Sequence, residues 1–326
     1  MKKRPQVSSS QSSVASQSSL IMNNLKYALL FLVFSAFTVK GQIIIEDNKK
    51  LEKIKKGNTY IMVGSTKFPG ADEYLKAVKK DWTLSKGIDY LSPDNPGNIS
   101  PDDSFLSLEA LTETRGSLVN IYYYLSFWTC KESYFKKKRD LKRSDHELVA
   151  KVCLSVDPKA FAAKSFFKDH DFDGGGLLHN WSPGMLRNYL QQLTRLLNTE
   201  KKVKVQDDIL NKAELVNLSK ETLYVPDFNL LGFSPFLGRK KAADEEKIFE
   251  DYPYPYKIVS KAELDQVILD SDKPSYYLIF IKDSSNKVVC VVNSNTGETV
   301  YSNAKSFSYN LKSGDVKDLL KEINRK

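Results

Sequence analysis

KKGNTYIMV (residues 55–63) and LSKETLYVP (residues 218–226) are the stretches on which the fold turns. Each is a basic-led run passing into a short β-rich segment of the kind that forms a strand. A similar order follows each one. In the first half, Tyr74, Leu75, Val78 and Trp82 recur at helical spacing over residues 71–82, and GIDYL (87–91) reads as a strand. SPDNPGNISPDD (92–103) is loop by its Pro, Gly and Asn content, and strand-like runs follow at 105–111, 119–130 and 147–156. Pro183 after Ser182 marks a helix start, and Leu and Tyr repeat at helical spacing over 185–197. In the second half a short acidic helix (244–251) precedes a strand (256–259) and a helix (261–269). A hairpin of 276–281 and 287–293 turns through KDSSN, and a strand at 298–301 follows Asn295-Thr296-Gly297. Ser313 is the expected cap of a last helix over 315–323.

This pattern predicts an α/β (α+β) protein of two similar mixed-sheet domains. Each would be a β-α-β unit followed by a β-meander and a closing helix. Residue identity between the halves is weak, so an internal duplication is expected from element order alone. The order resembles the thioredoxin-like fold, once per half. The Cys-x-x-Cys of that family's oxidoreductases is absent, so its redox activity is not implied here. The expected divisions are residues 1–41 as extension plus leader, 42–205 as a first domain with a basic hairpin insertion, and 206–326 as a second domain.

The leader is MNNLKYALLFLVFSAFTVKGQ (22–42). Lys26 precedes an apolar run of about 13 residues, and the small residues Ser35, Ala36 and Gly41 lead to cleavage before Gln42. As a helix this run covers roughly 20 Å, short of a hydrocarbon core of about 30 Å, so a signal peptide is expected rather than an anchor. It resembles the leaders of proteins exported by Gram-negative bacteria, which implies a periplasmic or secreted product with no membrane span in its mature form. Residues 1–21 are Ser/Gln-rich and hold almost no large apolar side chain, so they bury no core and Met22 reads as the initiator.

Removing the leader changes the charge balance. Residues 1–41 carry five of the 49 basic residues and no acid, leaving 44 against 40 acidic ones, or +4 in place of +9. Such a balance argues against a nucleic-acid partner, which calls for concentrated positive charge. There are three cysteines. Cys130 and Cys153 lie in neighbouring strand-like runs and could form a disulfide in an oxidising compartment, whereas Cys290 sits in the apolar run KVVCVV as a buried thiol.

Three constellations could carry chemistry. Asp169, Asp171 and Asp173 alternate before Gly174, like the start of an EF-hand loop, which makes calcium the one cofactor suggested. The twelfth position is Asn180 in place of the bidentate Glu, and the bland alternative is a Gly-rich surface loop. KESYFKKKRDLKR (131–143) concentrates seven basic residues against two acidic ones. Lys136, Lys137, Lys138 and Arg139 form an expected anion patch for an anionic glycan, lipid headgroup or acidic extracytoplasmic protein, the alternative being a solvated hairpin tip. In the long strand, Tyr122, Tyr124, Ser126 and Trp128 share one face and Tyr123, Leu125 and Phe127 the other. That predicts a strand covered on both sides, or one face offered to a peptide or carbohydrate. His146, His170 and His179 show neither zinc nor nucleophile spacing. The expectation is an exported, non-catalytic binding or interaction protein. The rival is an extracytoplasmic hydrolase whose Cys/His site assembles only in three dimensions.

Overall fold

A computed structural model describes residues 42–326 apart from 93–96, 116–117, 137–139, 158–176, 200–208, 235–237, 271–272, 283–285, 307 and 326. Residues 1–41, Asp169, Asp171, Asp173, Lys137, Lys138 and Arg139 therefore lie outside the described residues, as does the expected boundary between residues 205 and 206.

The first half contains β1 (Ile43–Ile45), α1 (Leu51–Ile54), β2 (Thr59–Met62), α2 (Ala71–Lys79) and β3 (Ile88–Leu91). It continues with β4 (Ser104–Arg115), β5 (Leu118–Cys130), α3 (Glu132–Phe135), β6 (His146–Leu154) and α4 (Pro183–Asn198). The second half contains α5 (Lys212–Leu215), β7 (Leu223–Pro226), β8 (Leu231–Ser234), β9 (Gly238–Ala242), α6 (Glu245–Phe249) and β10 (Tyr256–Val259). It ends with α7 (Lys261–Asp270), β11 (Tyr276–Lys282), β12 (Asn286–Asn293), β13 (Thr299–Ser306) and α8 (Ser313–Ile323).

The chain is α+β, with two mixed sheets ordered β1-β6-β5-β4-β2-β3 and β10-β7-β11-β12-β13. In the first, β2 runs parallel to β3 and β4, and the remaining pairs are antiparallel. In the second, β7 runs parallel to β10 and β11, and the remaining pairs are antiparallel. Strand order and direction thus agree across β3-β2-β4-β5-β6 and β10-β7-β11-β12-β13. The halves differ in their connections. The β8–β9 ribbon lies between β7 and β10, and α7 lies between β10 and β11 where no helix is found among the described residues joining β3 to β4.

One large core draws on both sheets. Ile61, Leu125 and Phe127 of the first sheet and Tyr277, Ile279 and Cys290 of the second meet Met185, Tyr189 and Leu193 of α4 and Leu264 and Ile268 of α7. α4 starts where its caps predict: Ser182 Oγ accepts from Met185 N (3.2 Å) and Pro183 occupies the first turn. Asp265 of α7 braces the same end, accepting from Ser182 Oγ and Gly184 N, both at 2.6 Å. Polar side chains on α4 are buried because the second sheet satisfies them. Asn188 Nδ2 donates to Ser294 O (2.7 Å), Asn188 Oδ1 accepts from Tyr277 Oη (3.0 Å), and Gln192 exchanges bonds with Thr299. Gly297, at φ +66°, turns so close to α4 that an added Cβ would lie 2.3 Å from Asn188 O.

A second core covers the other face of the second sheet, where Leu278, Phe280 and Val291 pack against Val316 and Leu319 of α8 and Phe249 of α6. Here the capping expectation is corrected. α8 begins at Ser313, and Asp315 rather than Ser313 closes its start by accepting from Lys312 N (2.9 Å). Asp315 is also paired with the buried Lys287 and with Lys305 (2.9 Å), so its carboxylate organises the whole corner.

Candidate functional site

A third, smaller core lies on the outer face of the first sheet and is formed by Phe105, Trp128 and Cys130. Alternation brings it about. Phe105 of β4 stands opposite Trp128 of β5, Ser107 opposite Ser126, and Glu109 opposite Tyr124. The Phe105 and Trp128 rings stack at 4.4 Å, and His146 of β6 lies on Trp128 at 3.5 Å with an interplanar angle of 8°. Trp128 Nε1 donates to Ser107 Oγ (2.8 Å), so the indole is satisfied in a dry setting.

Glu109 is the charged centre of this face. Its carboxylate accepts from Ser126 Oγ (3.0 Å) and lies 3.4 Å from Arg143 and 3.6 Å from His146 Nδ1. Burial alone would raise the carboxyl, but the His146 and Ser126 side chains and the Arg143 charge outweigh it and hold it below its ordinary value. Glu109 therefore stays ionised and matched, a positioning anion for the segment above it. Further along the same face, Tyr122 and Tyr124 stack at 6.2 Å, and Lys151 lies 5.4 Å from the Tyr124 ring.

The basic segment 131–143 departs from expectation. Its described residues, 131–136 and 140–143, lie back on this face, as α3 and a 3₁₀ turn at Arg143–Asp145. Tyr134, Phe135 and Leu141 pack against the Phe105–Trp128–Cys130 cluster. The base of the insert is closed by Lys131 N donating to Asp145 O (2.8 Å) and Lys131 Nζ donating to Ser144 O (2.7 Å). Asp145 in turn accepts from Lys142 N (3.0 Å). Lys131, Lys136, Lys142 and Arg143 remain exposed. The reason is composition: two aromatics and a Leu among the lysines supply enough apolar area to hold the segment down. Trp128 and its neighbours are thereby covered, which leaves the charged crust rather than the aromatic face open to a ligand.

The pairing expected for Cys130 and Cys153 is not met. Cys130 stands opposite His146, whereas Cys153 stands opposite Tyr124, six residues back along β5 and so about 20 Å away. A disulfide needs Cα atoms within about 7 Å. Strand adjacency was legible, but not the register. Cys130, Cys153 and Cys290 are all buried thiols. Burial pushes Cys130 and Cys290 up to about 12, so neither carries a thiolate at neutral pH. The Cys130–His146 rung is thus a packed pair, with its imidazole committed to Trp128 and Glu109.

His179, by contrast, lies 3.6 Å from Asp157 and stacks on Phe228 at 5.5 Å. Burial first and the Lys282 charge second depress it to about 4, against the opposing pull of Asp157. An open cleft of about 590 Å³ lies at the edge strand β3, lined by Asn58, Tyr60, Lys79, Trp82, Lys86 and Asp89 among others. Among the described residues, no group of three or more His, Cys, Asp or Glu is placed to hold a metal ion, and no helix is long and apolar enough to cross a membrane.

Sequence reasoning missed the Glu109 cluster. Its signal was present as a Glu in the middle of the strand-like FLSLEALTE, where an acid is out of place without partners. A scan against family models and searches of curated proteins and of solved structures find no match to this chain.

Proposed function

We propose that the mature chain is an exported, non-catalytic binding protein, periplasmic or secreted, that holds an anionic glycan on its basic insert. One observation carries this reading: the insert is anchored. Tyr134, Phe135 and Leu141 are packed on the sheet while Lys131, Lys136, Lys142 and Arg143 are left exposed above them. Like charges gathered on a fixed base repel one another and gain by meeting a polyanion. A solvated tip that only keeps strands soluble needs no such anchor. The lysines of 137–138 belong to the same sequence patch.

The test is binding of the purified mature chain to dextran sulfate at several salt concentrations, with polyglutamate as the acidic-protein mimic. The variant carrying Lys136→Glu, Lys137→Glu, Lys138→Glu and Lys142→Glu should lose dextran sulfate binding at an unchanged melting temperature. Equal binding by parent and variant removes the reading, and preference for polyglutamate moves the partner to an acidic protein. Two further proposals accompany it. The shared strand order and direction of the sheets support descent from a duplicated unit, and the β-α-β and meander order supports the thioredoxin-like resemblance.

A further inference from the structure

Gln42 opens the described chain at the edge of the first sheet. Its carbonyl accepts from Cys153 N (2.7 Å), and the next residue, Ile43, pairs with Val152. The residue is 1% exposed, and neither Oε1 nor Nε2 of its side chain has a hydrogen-bond partner. The nearby Tyr189 hydroxyl donates to Asn180 O (2.7 Å) and approaches the Gln42 amide without completing a hydrogen bond to it. On its other side, the Gln42 backbone N–H is directed at the thiol of Cys290, itself 0% exposed. A buried primary amide with both ends unsatisfied is costly, and so is a buried ammonium beside a neutral thiol.

These two costs coincide if the leader is cut before Gln42, because the α-nitrogen then becomes an amine in this dry position. We propose that Gln42 is a modification site, the N-terminal glutamine cyclising to pyroglutamate once the leader is removed. The inference rests on the export reading above and on that cleavage bond. In the step, the α-nitrogen attacks Cδ of its own side chain, the N–Cδ bond forms and the Cδ–Nε2 bond breaks. Nε2 leaves as ammonia with the proton shed by the amine, and nothing is oxidised or reduced. The lactam is neutral, keeps one N–H for Cys290, and discards the unpaired Nε2. Cyclisation thus removes a charge and an orphan donor from the same buried spot.

The experiment is the intact mass of the protein produced with its own leader in a Gram-negative host and recovered from the extracytoplasmic fraction. The expected mass is that of residues 42–326 less about 17 Da for ammonia, with pyroglutamyl aminopeptidase removing one residue from the unfolded chain. Melting temperatures give a second readout: chain prepared with free Gln42 should melt lower and rise on treatment with glutaminyl cyclase. A chain starting at Gln42 without the mass loss overturns the cyclisation alone. A different start overturns the cyclisation and leaves export standing, whereas an uncleaved chain overturns both.

Discussion

Replacing His179 with Gln should remove a specific part of the protein's acid sensitivity. The imidazole is mostly buried, stacked on Phe228 and faced by Asp157 and the Lys282 charge, and it titrates near 4 in place of its ordinary 6.5. With the folded value depressed, the unfolded chain binds more protons between about pH 6.5 and pH 4. Stability therefore falls as pH drops through that window, the direction expected of a histidine buried in its neutral form. From these two values the loss from this one group is about 1 kcal/mol at pH 5.5 and about 2–3 kcal/mol at pH 4.5, relative to pH 8. Carboxylates titrate in the same range, so the measured quantity is a difference. Urea unfolding of parent and His179→Gln at pH 8, 5.5 and 4.5 should give curves that converge or cross toward acid, the variant losing about 2–3 kcal/mol less by pH 4.5. Parallel losses in the two proteins would refute the claim that His179 is held neutral.

Two further substitutions probe the packing. Gly297→Ala must place a Cβ 2.3 Å from Asn188 O at a left-handed backbone, and should cost about 3 kcal/mol in chemical unfolding from strain and clash together. Trp128→Ala should cost about 3–5 kcal/mol and loosen the insert, read as new protease cleavage within residues 131–143 in the still-folded protein.

Local pattern carried much of this fold because local pattern is where its information lies. The Ser182-Pro183 start of α4, the YYLIFIK and KVVCVV hairpin and the period-two alternation of residues 122–128 are each set by near neighbours. What failed to be legible depends on distant partners. Cys130 and Cys153 were expected to meet because their strands are adjacent. Yet a long hairpin and a bulge between Phe127 and Trp128 decide which residues share a rung. Segment 131–143 looked like a solvated tip because its charges dominate, whereas three apolar side chains and an apolar patch 30 residues away, at Phe105, decide where it lies. Glu109 stands out in FLSLEALTE as an acid within a strand-like run, but what it pairs with does not. Apart from Ser107 on its own strand, its partners come from β5, β6 and the insert, none of them close in sequence.

The interior shared by the two sheets has a consequence for how the chain can change. α4 belongs by sequence to the first half, but Asn188 and Gln192 answer to Ser294, Tyr277 and Thr299 in the second. Neither half can be borrowed as a free-standing module, because cutting between them would strand those amides and bare an apolar wall on each side. A substitution on the buried side of α4 is judged twice, once by each sheet. The two halves are therefore obliged to drift together, whatever ligand the outer surface comes to hold.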